Sequence, residues 1–205
     1  RMADTMIVLT SDHGDYLGDH WLGEKDLFHE ASVKVPLIIY DPRLEASSTR
    51  GTTCDALVES IDLAATFVDA AGGTVPEHIL EGKSLLPWLW GQKPSWRSYV
   101  ISEFDYSATP QAAKLGLELR DARLFMVFDG RYKMMHAEGG MRPMLFDLHE
   151  DPEEFYDLAK GSDHQNVIDK LYKNLHHWGL RLSQRVTKSD NDILAMRGRS
   201  LRRGI

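Results

Sequence analysis

Thr5-Met6-Ile7-Val8-Leu9-Thr10-Ser11-Asp12-His13-Gly14 is the stretch on which the reading of the fold turns. Its first six residues are a continuous apolar and β-branched run that breaks at once into polar groups. The run reads as a buried, parallel strand of an α/β sheet, covered on both faces and delivering Asp12 and His13 at its C-terminal end. In open α/β sheets that edge is where ligands bind. A carboxylate and an imidazole can both ligate a divalent ion, and the imidazole tilts the choice from magnesium toward manganese, zinc or iron, with calcium less natural. Asp-His-Gly is also good turn chemistry, so a buried strand followed by an ordinary turn stays open as the alternative. Asp15, Asp19, His20, Glu24, Lys25, Asp26, His29 and Glu30 crowd the next stretch. Lys25 can stabilise an anionic substrate, or simply pair with Glu24 or Asp26. His20 can meet a substrate or leaving group, or hydrogen-bond within the loop. Asp19 and Glu30 suit the orienting of their neighbours better than proton transfer.

Working outward, Val35 to Tyr40 is a second apolar run, and Asp41 to Thr53 has the composition of a surface loop. Ser60 is placed to cap a helix running to about Ala71, closed by Gly72-Gly73. Ser84 to Trp90 reads as a short amphipathic turn or helix. Two parallel strands make no stable sheet alone, so partner strands are expected from sequence outside this chain. After Lys93-Pro94-Ser95 the pattern changes. Tyr99 to Phe104, Leu124 to Phe128, Tyr132 to His136 and Met144 to Leu148 read as strands. The Asp129-Gly130 pair signals a hairpin, giving a small antiparallel meander. Val167, Leu171, Leu175, Trp178 and Leu182 mark one face of a long helix that should cover it. From Val186 on, Lys188, Arg197, Arg199, Arg202 and Arg203 stand against Asp190 and Asp192 in an arm expected to pack on a neighbouring subunit or on the rest of the protein. The expected organisation is 1–94 as part of a large α/β domain, 95–185 as the sheet-and-helix subdomain and 186–205 as the arm.

Composition narrows the classes. The 205 residues are 42% hydrophobic and 27% charged, which excludes wholesale disorder. Acidic residues outnumber basic ones 31 to 24, for a net charge of -7, so nucleic acid is not the expected partner. The single cysteine, Cys54, excludes an internal disulfide framework and suits a reducing compartment; it is expected as a buried or half-buried thiol. No apolar run nears the length of a membrane span, and no secretory pattern opens the chain. No membrane partner is expected.

The run Thr10-Ser11-Asp12-His13-Gly14, continuing through Leu17-Gly18-Asp19-His20 to Gly23-Glu24-Lys25, resembles the sulfatase family of the alkaline phosphatase superfamily. Glu30, Val35 to Ile39, Ser60-Ile61-Asp62-Leu63, Gly82-Lys83-Ser84-Leu85 and Trp96-Arg97 fit the same pattern in order. So do Leu145-Phe146-Asp147-Leu148 and Asp151-Pro152-Glu153-Glu154. Within the family the chain is most similar to the cytoplasmic phosphonate and phosphate monoester hydrolases, which implies a cytoplasmic location. The resemblance implies an alkaline-phosphatase-like sandwich, with Asp12 and His13 as ligands of one divalent metal, manganese first. It implies Lys25 beside the nucleophile and the transferring oxyanion, and His20 as a pocket residue. The family's nucleophile is a formylglycine made from Cys or Ser in a Cys/Ser-x-Pro/Ala-x-Arg motif upstream of the metal residues. Cys54 lies downstream in Thr53-Cys54-Asp55-Ala56-Leu57 and does not fit that motif. The resemblance therefore implies the C-terminal portion of an enzyme, inactive alone. Its partners would be the missing N-terminal portion, a small anionic ester and, in a homo-oligomer, further copies. A sulfatase acting on sulfate esters and a non-catalytic assembly module are the alternatives.

Overall fold

The opening apolar run becomes strand β1, Ile7–Thr10, and the second run becomes β2, Leu37–Tyr40, with the one-turn helix α1, Glu30–Val33, between them. The computed structural model describes residues 2–180, 189, 191, 192 and 195. β1 and β2 pair antiparallel, Ile7 opposite Tyr40 and Thr10 opposite Leu37, which corrects the parallel expectation. Their burial is corrected too: Ile7, Leu9 and Ile38 are 41%, 53% and 63% exposed. An unbroken apolar run reports a strand that needs cover on both faces; neither its pairing sense nor the origin of the cover is written in it. The described residues form two compact units that interleave in sequence, one of 2–40 with 96–178, the other of 41–95 with 179, 180, 189, 191, 192 and 195.

In the second unit, the expected surface loop carries a buried charge. Asp41 is 2% exposed and grips Arg43 through paired contacts of 2.8 and 2.9 Å, while the Trp90 indole N–H donates to it at 3.1 Å. Burial pushes this carboxyl up, but the Arg43 guanidinium and backbone N–H outweigh it and hold it below the usual range. Helix α2, Ile61–Ala70, begins where expected but is capped differently. Ser60 already has helical φ and ψ and makes no side-chain cap. The buried Asp62 carboxylate accepts the Glu59 N–H at 2.9 Å and the Lys83 N–H at 2.8 Å. Thr66 Oγ1 donates to the Asp62 carbonyl at 2.7 Å and accepts the Leu85 N–H at 2.9 Å. The Ser-Ile-Asp-Leu and Gly-Lys-Ser-Leu stretches are thus two halves of one clamp, closed by helix α3, Leu86–Leu89. Cys54 is exposed, against the expectation of a buried thiol.

In the first unit, β3 (Val100–Asp105), β4 (Arg123–Phe128), β5 (Tyr132–Ala137) and β6 (Met144–Asp147) form the expected antiparallel meander in sequence order, with α4, Pro110–Leu115, inserted after β3. Gly130, at φ 95°, turns the central hairpin while Asp129 Oδ1 accepts the Tyr132 N–H at 2.9 Å. The 2-residue side-chain period splits the sheet into two apolar faces. Val127, Met134 and Leu145 pack under Ile168 and Leu171 of helix α5, Gln165–Gly179, with Val167 and Leu175 flanking them. Each of those buried aliphatic side chains contributes about 1.5–3 kcal/mol. Met126, Met135 and Phe146 form the opposite face, and there they meet Phe28. That second contact seats the segment following Lys25 against the sheet. Leu182 and the arm residues Lys188, Asp190, Arg197, Arg199, Arg202 and Arg203 lie outside the described residues. Among the described residues no helix is long and apolar enough to cross a membrane. The fold is α/β: a two-stranded and a four-stranded antiparallel sheet interspersed with helices, the longest of them C-terminal.

Candidate active site

Beyond β1 the chain turns on its own polar groups: Ser11 Oγ donates to the His13 carbonyl at 2.7 Å, and the His13 N–H donates to Asp12 Oδ1 at 3.0 Å. That backbone bond is the main influence holding the Asp12 carboxyl below its ordinary range. Gly14 donates its N–H to the Ser32 carbonyl at 2.7 Å. A Cβ on Gly14 would stand 2.0 Å from the Ala31 oxygen, so this close approach admits only glycine.

His13 Nδ1 lies 2.7 Å from the Gly14 carbonyl, which can only accept, so Nδ1 carries the proton and Nε2 a lone pair. Lys25 Nζ donates to that lone pair at 2.6 Å, and Asp12 Oδ2 is 3.5 Å from the same nitrogen. Asp12, His13 and Lys25 therefore converge. Lys25 thus pairs with His13.

Between His13 and Lys25 the chain makes a tight loop, closed by Tyr16 N–H to the Glu24 carbonyl and Gly18 N–H to the Leu22 carbonyl, both at 3.0 Å. Leu17, His20, Trp21 and Glu24 all take left-handed φ, between 49° and 60°, a conformation that costs non-glycine residues energy and persists only where surroundings impose it. His20 is not among the converging groups. Its ring stacks on His29 at 4.1 Å and meets Phe155 at 5.2 Å. Beneath it, Tyr16 Oη lies 2.8 Å from His29 Nδ1 and accepts the His29 N–H at 3.2 Å. Burial, then the charges of His20 and Lys133, press the His29 imidazole down to about 4, and burial pushes the Tyr16 phenol up to about 12.

Under this stack is a charged cluster that the sequence did not announce. Lys133, 1% exposed, lies 2.6 Å from Glu30 Oε1 and 2.9 Å from Glu154 Oε1, and Glu154 Oε2 accepts the Glu30 N–H at 2.6 Å. Burial raises the Glu154 carboxyl despite the ammonium beside it. The signal that could have found Lys133 is its phase: it alternates with Met135 on the inward face of β5, where a lysine needs a buried counter-charge. Tyr16 and Ser32 carried no such signal.

The donor set suits half of a divalent metal site. The Asp12 oxygen and the His13 nitrogen lie within reach of one ion, and the His13 tautomer leaves Nε2 ready, its other N–H fixed by a carbonyl as metal-bound imidazoles require. A cation, the Lys25 ammonium, already sits against that lone pair. No group of three or more His, Cys, Asp or Glu able to hold a metal occurs among the described residues, so these two donors alone do not close a site.

Residues 18–180 match the family described as N-sulphoglucosamine sulphohydrolase, C-terminal. The chain is 34% identical over 187 residues to the multifunctional alkaline phosphatase superfamily protein PehA of Trinickia caryophylli, spanning 89% of this chain and 35% of that protein. An arylsulfatase of Clostridium perfringens is 28% identical over 175 residues, 85% of this chain and 34% of its own. The phosphonate monoester hydrolase of Agrobacterium radiobacter superimposes with a TM-score of 0.76 at 32% identity, covering 84% of this chain and 34% of that one. The chain thus spans about a third of the length of these relatives. Motif order, fold and these matches agree, and the chain belongs to the sulfatase family of the alkaline phosphatase superfamily.

Proposed function

We propose that this chain is the C-terminal part of a metal-dependent hydrolase of phosphonate and phosphate monoesters, and that Asp12, His13 and Lys25 are its contribution to the active site. The observation that carries the reading is the convergence of Lys25 Nζ, His13 Nε2 and Asp12 Oδ2 within 2.6 and 3.5 Å. Similarity to PehA and to the phosphonate monoester hydrolase supports the substrate class. A divalent ion, manganese by preference for a mixed oxygen and imidazole set, would polarise a nonbridging oxygen of the ester. Asp12 and His13 would hold it, with the remaining ligands and the formylglycine nucleophile supplied by the rest of the enzyme. Lys25 donates hydrogen bonds to the equatorial oxygens, whose charge must be held most tightly in the transition state. His20 lines the loop and fixes its shape through His29 and Phe155.

Action on sulfate esters is the second reading, favoured by the matched sulphohydrolase family and the arylsulfatase relative. Sulfate and phosphate groups share shape, and Lys25 serves either. The test is made on the complete enzyme. Asp12→Ala and His13→Ala should each lower bound metal and abolish turnover, and kcat/KM measured in parallel on aryl phosphate, phenyl phosphonate and aryl sulfate esters should rank the sulfate last. Full metal content and full turnover in both variants would overturn the site, and a sulfate ester ranked first would overturn the substrate class.

A further inference from the structure

Helix α1 is a single turn, yet one of its residues holds both sides of the proposed site. The Ser32 carbonyl accepts the Gly14 N–H at 2.7 Å, next to His13, while the Ser32 hydroxyl donates to the Lys25 carbonyl at 2.8 Å. Ser32 is 3% exposed. A helix of one turn has no stability of its own, so something else must fix it. The Glu154 carboxylate does so by accepting the Glu30 N–H at 2.6 Å, and Lys133 seizes the Glu30 side chain at 2.6 Å. Lys133 comes from the interior of β5 and Glu154 from the turn after β6, so the bracket is bolted to the four-stranded sheet.

We propose that Ser32 is a positioning residue for Lys25: its hydroxyl sets where the lysine backbone lies, and the Glu30–Lys133–Glu154 cluster fixes Ser32. The proposal rests on the reading that Lys25 serves an oxyanion site. Its two bonds separate cleanly, because Ser32→Ala removes the hydroxyl contact to Lys25 and leaves the backbone contact to Gly14. The metal side should therefore be undisturbed while the lysine side loosens.

In the complete, metal-loaded enzyme, Ser32→Ala is expected to lower kcat/KM about ten- to hundredfold, as small misplacements of a catalytic group do. Bound metal and the thermal midpoint should stay close to the parent's. Affinity for inorganic phosphate, measured by calorimetry, should fall with kcat/KM. A double-mutant cycle with Lys25→Ala decides the route of action. If Ser32 works through Lys25, its loss costs less than twofold once the ammonium is gone, in kcat/KM and in phosphate affinity alike. Parent-like behaviour of Ser32→Ala would overturn the proposal, as would an undiminished loss in the Lys25→Ala background, or metal and thermal stability falling together. A Lys25→Ala enzyme with parent-like turnover and phosphate affinity would instead overturn the underlying site reading.

Discussion

Gly14 has no side chain because the Ala31 carbonyl occupies the place a Cβ would take, 2.0 Å away. Any substitution must push α1 from the Asp12-His13 turn. Gly14→Ala should cost about 1–3 kcal/mol or more, the ordinary penalty of overpacking, read as a lowered urea midpoint. Lys25 depends on charge and reach together. Its Nζ lies 2.6 Å from His13 Nε2, so a longer, planar head in its place would run into the imidazole. In the complete enzyme, under the proposed role of Lys25, Lys25→Met should lower kcat about 10²–10³-fold, the typical loss on removing one oxyanion donor, and Lys25→Arg should not restore it. Steady-state kinetics on a phosphonate ester checks both, and near-complete rescue by arginine would show that a diffuse positive charge suffices.

The loop between His13 and Lys25 is held from below by a histidine kept neutral. His29 faces Tyr16, His20 and Lys133, and its imidazole falls from an ordinary 6.5 to about 4. From about pH 6.5 down to 4 the unfolded chain binds a proton that the folded one refuses, so stability falls as pH falls. The size of that loss is on the order of 3 kcal/mol. The raised Glu154 carboxyl works the other way, since the folded state keeps that proton longer, and so it offsets part of the slope. Urea midpoints compared at pH 7 and 4.5 should show a net acid loss that His29→Gln flattens; an unchanged slope would remove His29 as its source. Sequence pattern reached the converging groups Asp12, His13 and Lys25 because strand end, turn and loop are local. It reached the meander for the same reason: Asp129-Gly130 and the 2-residue period act within one hairpin. The Lys133 contact to Glu30 bridges 103 positions, and the Asp41 contact to Trp90 bridges 49. No short-range rule carries such pairs. His20, placed among pocket residues by resemblance, turned out to be engaged in ring stacking, which its polar neighbours in the sequence did not suggest.

The first unit contains two sheets of unequal self-sufficiency. The four-stranded sheet has α5 over one face and Phe28 against the other, with Val127, Met134 and Leu145 wholly buried. The β1–β2 ribbon has no further strand partner among the described residues, and Leu9 and its opposite number Ile38 are both more than half exposed. Two strands without cover are marginal in water. The relatives are about two and a half times as long as this chain and carry additional sequence. Amide exchange separates the two sheets directly. In this chain by itself, Ile7–Thr10 and Leu37–Tyr40 should exchange at least ~100-fold faster than Met126, Val127 and Met134, because their opening exposes little that is not exposed already. Equal protection in both sheets would mean that the ribbon is stable without further strands. In the complete enzyme the same amides should become as slow as those of the meander, and with them the Asp12-His13 turn that β1 carries at its end.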